Sequence, residues 1–403
     1  MTGSVASPVP LVERIISLDL LRGVAVLGIL VMNIQHFSMP PAAYINPTAY
    51  GDLTGLNKWI WILSHILASE KFMSIFSMLF GAGVLLFTER AGIRGFNSTS
   101  LHFRRMSWLL LIGLMHGYLL WSGDILVSYS LCGMLVYLFR HKQPAILIRI
   151  ALSFFLVPLL LGLFFTWSMP GWSAEVVQNN MESWQPGAGS IGRYLEVYRG
   201  GWLEQLGLRV TGSIYTETSY FLDYTFWRVM AMMLLGMALF KWRVLSGELS
   251  SGYFRKMAFI GLATGFFLSG LGVYLNFRHA WNMKFSMYLG SQFNYVGSVA
   301  VAMGYTALVM LLTRSGRGAR IKSILSSVGR MALSNYILMT LFCTFLFYGY
   351  GLGLYGNVER KLQVIFILAI WILLMIISTL WLKWFRYGPI ERIWRVLTYR
   401  NRR

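Results

Sequence analysis

Ten apolar runs, each near the roughly 20 residues that cross a bilayer as a helix, leave this chain few ways to fold. They fall at about residues 20–37, 70–88, 106–122, 125–139, 147–167, 222–241, 257–275, 290–312, 331–349 and 362–383. In hydrocarbon every backbone N–H and C=O must find its partner within the protein, so runs of this length are helices. The pattern predicts an all-α polytopic transmembrane bundle of about 10 spans, or 10–11. Composition agrees, because 56% apolar and only 12% charged residues do not describe a soluble domain.

A net charge of +20 would suit a nucleic-acid binder, but the basic residues follow topology instead. Arg90, Arg94, Arg104 and Arg105 lie between runs 2 and 3, Arg140, Lys142 and Arg149 between 4 and 5, Lys241, Arg243, Arg255 and Lys256 between 6 and 7. Arg314, Arg317, Arg320, Lys322 and Arg330 follow run 8, and Lys383 to Arg403 close the chain. Every second connection is basic, so the positive-inside rule places both termini in the cytoplasm. Residues 1–17 lack a basic n-region and a small-residue cleavage site, so the first run is expected to stay as the first span. Cys132 and Cys343 each fall inside an apolar run, which reads as small apolar filler rather than a disulfide or a metal site.

No fixed-period repeat, Rossmann glycine fingerprint, P-loop or HExxH is present. The chain divides into an N-terminal five-helix half (1–167), an outward segment (168–221) and a C-terminal five-helix half (222–403). Within the outward segment Leu195, Tyr198, Trp202, Leu203 and Leu206 recur at helical spacing, predicting one amphipathic helix that is either a lid or a surface helix packed on the bundle. Trp59 to Ser69 reads as an aromatic anchor at the outer interface. The tail from Arg386 reads as a surface helix on anionic lipid, whose charges also suit a cytoplasmic phosphate ligand.

Chemistry must come from polar residues inside these runs, since an ionisable group at membrane depth is expensive and by default marks a site. His116 and Asp124, eight residues apart in LMHGYLLWSGDIL, form a base-and-carboxylate combination. Eight helical residues span roughly 12 Å, so contact requires the Ser122-Gly123 turn to fold Asp124 back. The first run carries Asn33 and His36 toward its outer end, where they face the same half of the membrane as His116. It carries Asp19 and Arg22 at its basic end, either as an (i, i+3) ion pair or, with Arg104, Arg105 and Arg330, as a mouth that holds phosphates through planar guanidinium forks. Asn335, Tyr336, Gln292 and Asn294 can line a cavity or bridge helices. Gly81, Gly83, Gly113, Gly117, Gly349, Gly351 and Gly353 read mostly as close-packing positions.

The ordered set LDLLRGVAVLGILVMNI, SMLFGAG, RRMSWLLLIGLMHGYLLWSGDIL, GRMALSNYILMT and RYGPIERIWRVLTY resembles the bacterial YeiB-type membrane proteins with a DUF418 C-terminal region, across nearly the whole chain. That family is similar to the lysosomal heparan-alpha-glucosaminide N-acetyltransferase and its transmembrane acyltransferase relatives. The resemblance implies a bacterial cytoplasmic (inner) membrane enzyme. It would move an acyl group, acetyl by preference, from cytoplasmic acyl-CoA to an outward glycan, lipid or small-molecule acceptor, with no metal and no nucleic acid. A homodimer is compatible with it. Asp19 and Arg22 also match the first two positions of an acyltransferase-3 helix motif, but Asn33 stands where that motif has its histidine. The base is therefore expected to be His116, with Asn33 donating to an oxyanion, Asp124 orienting the imidazole, Arg22, Arg104, Arg105 and Arg330 holding CoA, and His36, Asn335 and Tyr336 facing the acceptor. A transporter of a small or lipid-like solute is the competing reading, although no matched pair of broken helices marks the two halves.

Overall fold

The computed structural model describes residues 15–399. Most of the segment 1–17, read as lacking the features of a cleavable signal, and Arg400, Arg402 and Arg403, lie outside the described residues. The described chain is helical, without strands. In order it forms α1 (Ile16–Ser38), α2 (Ala42–Ile45), α3 (Gly55–Ala68), α4 (Lys71–Ile93), α5 (Ser98–Leu119), α6 (Leu126–Val136), α7 (Pro144–Ser168), α8 (Ala174–Trp184) and α9 (Ala188–Arg199). There follow α10 (Leu206–Glu217), α11 (Phe226–Lys241), α12 (Ser251–Arg278), α13 (Met283–Phe285), α14 (Ser291–Arg314), α15 (Ala319–Arg330), α16 (Ala332–Phe347), α17 (Arg360–Trp384) and α18 (Pro389–Tyr399).

All ten apolar runs coincide with helices. By length and apolarity alone, among the described residues, seven helical segments can cross a bilayer, and the α15–α16 pair, bent by 83°, makes an eighth. The remaining runs are α5, which carries Arg104, Arg105 and two histidines, and α6, which with the following turn reaches only from Leu126 to Phe139. The boundary at 221/222 falls inside a π turn (Phe221–Thr225) that leads directly into α11, so the chain passes from α10 to α11 with only a short break.

Glycine sets the helix crossings. A Cβ added at Gly81 of α4 would lie 2.0 Å from the Met233 carbonyl oxygen on α11, and one at Gly236 of α11 would lie 2.0 Å from that of Met78. The same reciprocity holds between α1 and α15, where Gly23 meets Leu325 O at 2.0 Å and Gly329 meets Asp19 O at 1.8 Å. Lipid tails are as apolar as leucine, so helices in a bilayer associate through such backbone proximity rather than through hydrophobic exclusion. α15 ends at Arg330, one residue past the Gly329 contact with α1. α16 then starts in a new direction, its first free amides, Leu333 N and Ser334 N, donating to the Glu391 carboxylate at 2.8 and 3.1 Å. Glu391 belongs to α18, so the C-terminal helix is pinned to the bundle by capping another helix.

The outward segment differs from the single amphipathic helix expected. α9 stops at Arg199, and Trp202 and Leu203 lie in a turn before α10. Gly200-Gly201 breaks the pattern, and Gly349 presses so closely on the Arg199 carbonyl that a Cβ there would lie 1.8 Å away. α9 packs on the bundle: Tyr198 is buried and its ring stacks 4.7 Å from that of Tyr355.

Because the Gly81 Cβ position is occupied by backbone, Gly81→Ala is expected to cost about 1–3 kcal/mol, seen as a lower Tm in detergent. Gly83→Ala, where an added Cβ meets nothing within 4 Å, should not lower Tm.

Candidate functional site

A cavity of about 320 Å³ lies between α1, α4, α5, α6, α16 and α18. Its wall runs along α1 from Asp19 to Ile29, about 15 Å of helix. At the basic end stand Arg22, Arg90, Arg105, Arg330 and Arg395, facing Asp19 and Glu391. A second space of about 200 Å³ shares Arg22, Arg90, Arg105 and Arg395 and adds Arg94 and Tyr399. Further in, the lining is apolar, with Val26, Phe76, Phe80 and Leu109, and the inner end is closed by Ile125, Tyr129 and Tyr336. Gly83 lines both spaces.

Three of the four arginines expected at the mouth line it. Arg22 does so while donating to Asp19 at 2.9 Å, so the ion pair and the mouth are the same feature. Arg104 does not line either space: one residue along a helix turns the side chain by about 100°, and it is Arg105 that points inward, its guanidinium between the rings of Phe87 (4.6 Å) and Trp394 (4.2 Å). Arg90 and Arg94 read from the sequence only as topology markers, whereas Arg395 belongs to the tail whose charges suit a phosphate ligand. His102 was overlooked; it lines the wall and bonds the Gly133 carbonyl at 2.9 Å. The signal available for Arg395 was the strongly amphipathic IERIWRVL, in which Glu391 and Arg395 share a face at i, i+4.

Behind Tyr336 lies the pair the sequence pointed to. The His116 ring is 4.9 Å from that of Tyr336, and its Nδ1 is 2.8 Å from Asp124 Oδ1. Contact is made because α5 ends at Leu119, Leu120 N and Trp121 N both donate to His116 O at 3.0 Å, and the chain reverses through Gly123, over which the Trp121 indole folds. Gly113 then lets α6 return tightly along α5, an added Cβ there lying 2.7 Å from Val127 N. Asp124 Oδ2 accepts from Val127 N at 2.9 Å, so one carboxylate both orients the imidazole and caps α6. A carboxylate can only accept, which puts the proton of the neutral ring on Nδ1. Nε2 is then the acceptor for the Thr340 hydroxyl at 2.9 Å. His116, Asp124 and Thr340 are 2%, 3% and 0% exposed. Thr340 carried no sequence signal, because it comes from α16, 224 residues away.

The other expected site residues sit elsewhere. Asn33 is half-buried, lines neither space and makes no hydrogen bond to the pair. His36 reaches His116 only through Trp121, whose ring is 5.2 Å from the one and 6.3 Å from the other. Asn335 faces away from the cavity and braces α16 to α15 and α17, its amide donating to Val328 O at 3.0 Å and Ser378 Oγ at 2.8 Å. Asn294 is an interhelical bridge, whereas Gln292 donates only within its own stretch of chain, to Tyr288 O. Both cysteines are free and buried. No group of three or more metal-ligating side chains occurs among the described residues.

A second polar centre was missed altogether. Arg228, fully buried in α11, donates to Tyr295 O and Ser74 Oγ, each at 2.9 Å, and lies 3.7 Å from Glu70. Lys71 donates to His65 O at 3.0 Å and to Asn294 Oδ1, and Tyr224 donates to Glu70. Glu70 stands at the α3–α4 break with φ 63°. In the sequence Glu70 and Lys71 looked like the edge of a run, and Arg228 an isolated charge.

Removing Arg228 leaves Glu70 without its cation in the bundle. Arg228→Leu is therefore expected to destabilise by about 3–5 kcal/mol, measured by thermal unfolding in detergent, and Arg228→Leu with Glu70→Gln should recover part of the loss. Burial pushes the Glu391 carboxyl above the ordinary carboxylate range. A raised folded-state value gives docking of α18 that is complete below the ordinary carboxylate value and weakens as pH rises through the elevated one. Hydrogen exchange of α18 should rise with pH in the natural chain and stay flat in Glu391→Gln.

Comparison with known proteins gives the family. The family described as a protein of unknown function (DUF418) matches residues 239–401. YeiB of Escherichia coli (strain K12) is 32% identical over 396 residues, covering 96% of this chain and 97% of YeiB. YxaH of Bacillus subtilis (strain 168) is 32% identical over 404 residues, covering 96% and 94%, and a 39.9 kDa protein from the amylase 3′ region of Bacillus acidopullulyticus is 27% identical over 398. No solved structure matches the chain. Full-length likeness to YeiB and YxaH, with the C-terminal match, makes this chain a member of the YeiB-type DUF418 family of multi-helix membrane proteins.

Proposed function

We propose that this protein is a membrane-embedded acyltransferase that takes an acyl group, acetyl by preference, from cytoplasmic acyl-CoA and passes it to an acceptor hydroxyl or amine on the outward side of a bacterial cytoplasmic membrane. The observation that carries the reading is the order of parts along one axis. An arginine-lined mouth leads to an apolar shaft, and a histidine fixed by a carboxylate stands beyond the shaft's inner end. The basic ends of the helices, and both termini, are assigned to the cytoplasm by the positive-inside rule. Guanidinium groups suit the phosphates of CoA through planar, bidentate contacts, and the narrow apolar shaft suits its uncharged arm. His116, with Nδ1–H held by Asp124, has in Nε2 a general base for the transfer, and Asp124 stabilises the imidazolium that forms. The donor-side contacts fall to Arg22, Arg90, Arg105, Arg330 and Arg395. Tyr336 separates the shaft from the base, so its ring must move aside for the thioester to approach.

The test is binding and turnover of acetyl-CoA by the purified full-length protein, read as thiol release. His116→Gln is expected to lower turnover by about 10²- to 10⁴-fold while leaving acetyl-CoA binding intact. Gly83→Trp, which fills the shaft without touching the pair, should abolish binding. If acetyl-CoA neither binds nor is cleaved, while proteoliposomes take up solute saturably without CoA, the transporter reading replaces this one.

A further inference from the structure

The buried pair is in fact a row of three groups. Thr340 Oγ is 2.9 Å from His116 Nε2, and His116 Nδ1 is 2.8 Å from Asp124 Oδ1. A hydroxyl, an imidazole and a carboxylate in sequence, each within hydrogen-bond reach of the next, is the arrangement by which a base activates a nucleophile. The Thr340 hydroxyl has one competing acceptor, its own helix carbonyl at Tyr336, at 3.2 Å. The row is closed on both sides. Tyr336 covers it toward the shaft, and the buried Trp121 indole covers it toward His36 and the outer end. A donor in the shaft and an acceptor beyond Trp121 are therefore kept apart, and direct transfer between them would need both rings displaced together.

Resting on the acyltransferase reading above, we propose that Thr340 is the nucleophile that carries the acyl group between the two sides as an oxygen ester. In the first half-reaction Thr340 Oγ loses its proton to His116 Nε2 and attacks the thioester carbonyl. The C–S bond breaks, and the leaving CoA thiolate takes the proton from Nε2 and departs as thiol. In the second, the acceptor hydroxyl or amine gives its proton to Nε2 and attacks the ester carbonyl. The C–Oγ bond breaks, and Thr340 recovers the proton. Asp124 keeps its negative charge throughout and holds Nδ1–H. Each ring then needs to open only for its own half-reaction.

The experiment incubates the full-length protein with radiolabelled acetyl-CoA and no acceptor, and follows thiol release, protein-bound label and its position by peptide mass spectrometry. The expected result is a burst of about one thiol per protein, with one acetyl group on the peptide containing Thr340. Thr340→Ser should keep the burst within about tenfold, whereas Thr340→Val, of similar shape, should lose it by about 10²-fold or more while still binding acetyl-CoA. Label on His116, or full steady-state turnover in Thr340→Val alongside an inactive His116→Gln, overturns the threonine carrier and leaves the acyltransferase reading standing. Absence of acetyl-CoA binding and cleavage in the natural chain overturns both.

Discussion

Inside a bilayer an ionisable side chain has no water to fall back on, and the tertiary structure of this protein is organised around that shortage. Several of its buried charged or titratable groups are met by partners drawn from a different helix. Arg228 of α11 is answered by Glu70, Ser74 and Tyr295, and Lys71 of α4 by Asn294 of α14. His116 of α5 is answered by Asp124 ahead of α6 and by Thr340 of α16. Glu391 of α18 is answered by the free amides of α16. A helix that left its place would strand a charge in hydrocarbon, so these contacts fix which helices are neighbours as much as the glycine crossings fix how closely they approach.

The break between α15 and α16 shows how such constraints build a site. Gly23 and Gly329 bring α1 and α15 into backbone contact, and one residue past Gly329 α15 ends and the chain bends by 83° into α16. The buried start of α16 has amides that need acceptors, and Glu391 supplies them, drawing α18 across the basic end of the bundle. α18 in turn brings Trp394 onto Arg105 and Arg395 to the mouth. The cavity is thus bounded by four N-terminal helices, a bent C-terminal pair and a strap, and no half of the chain encloses it alone.

The helices were legible because their signal is local: an apolar run of membrane length can only be helical, and the basic connections alternate. His116 and Asp124 were legible because an imidazole and a carboxylate near one turn are conspicuous in so apolar a chain, although only the Gly113 packing and the Gly123 reversal bring them together. Other features resisted reading for identifiable reasons. The Gly200-Gly201 break hid inside a convincing periodicity, Arg104 and Arg105 look alike until the helix is rotated into place, and Asn335 has the chemistry of a site residue but spends it bracing α15 and α17.

By itself the sequence determined the solvent of this protein, its helical class, the alternating charge of its connections and the residue types able to do chemistry, because each follows from composition over stretches shorter than one span. Only the tertiary structure decided which of those residues meet. Thr340 reaches His116 across 224 residues, and Arg228 finds Ser74 across 154. Such pairings depend on how helices cross, and the crossings are set by glycines and buried charges on different helices acting together, which no local window of the sequence contains.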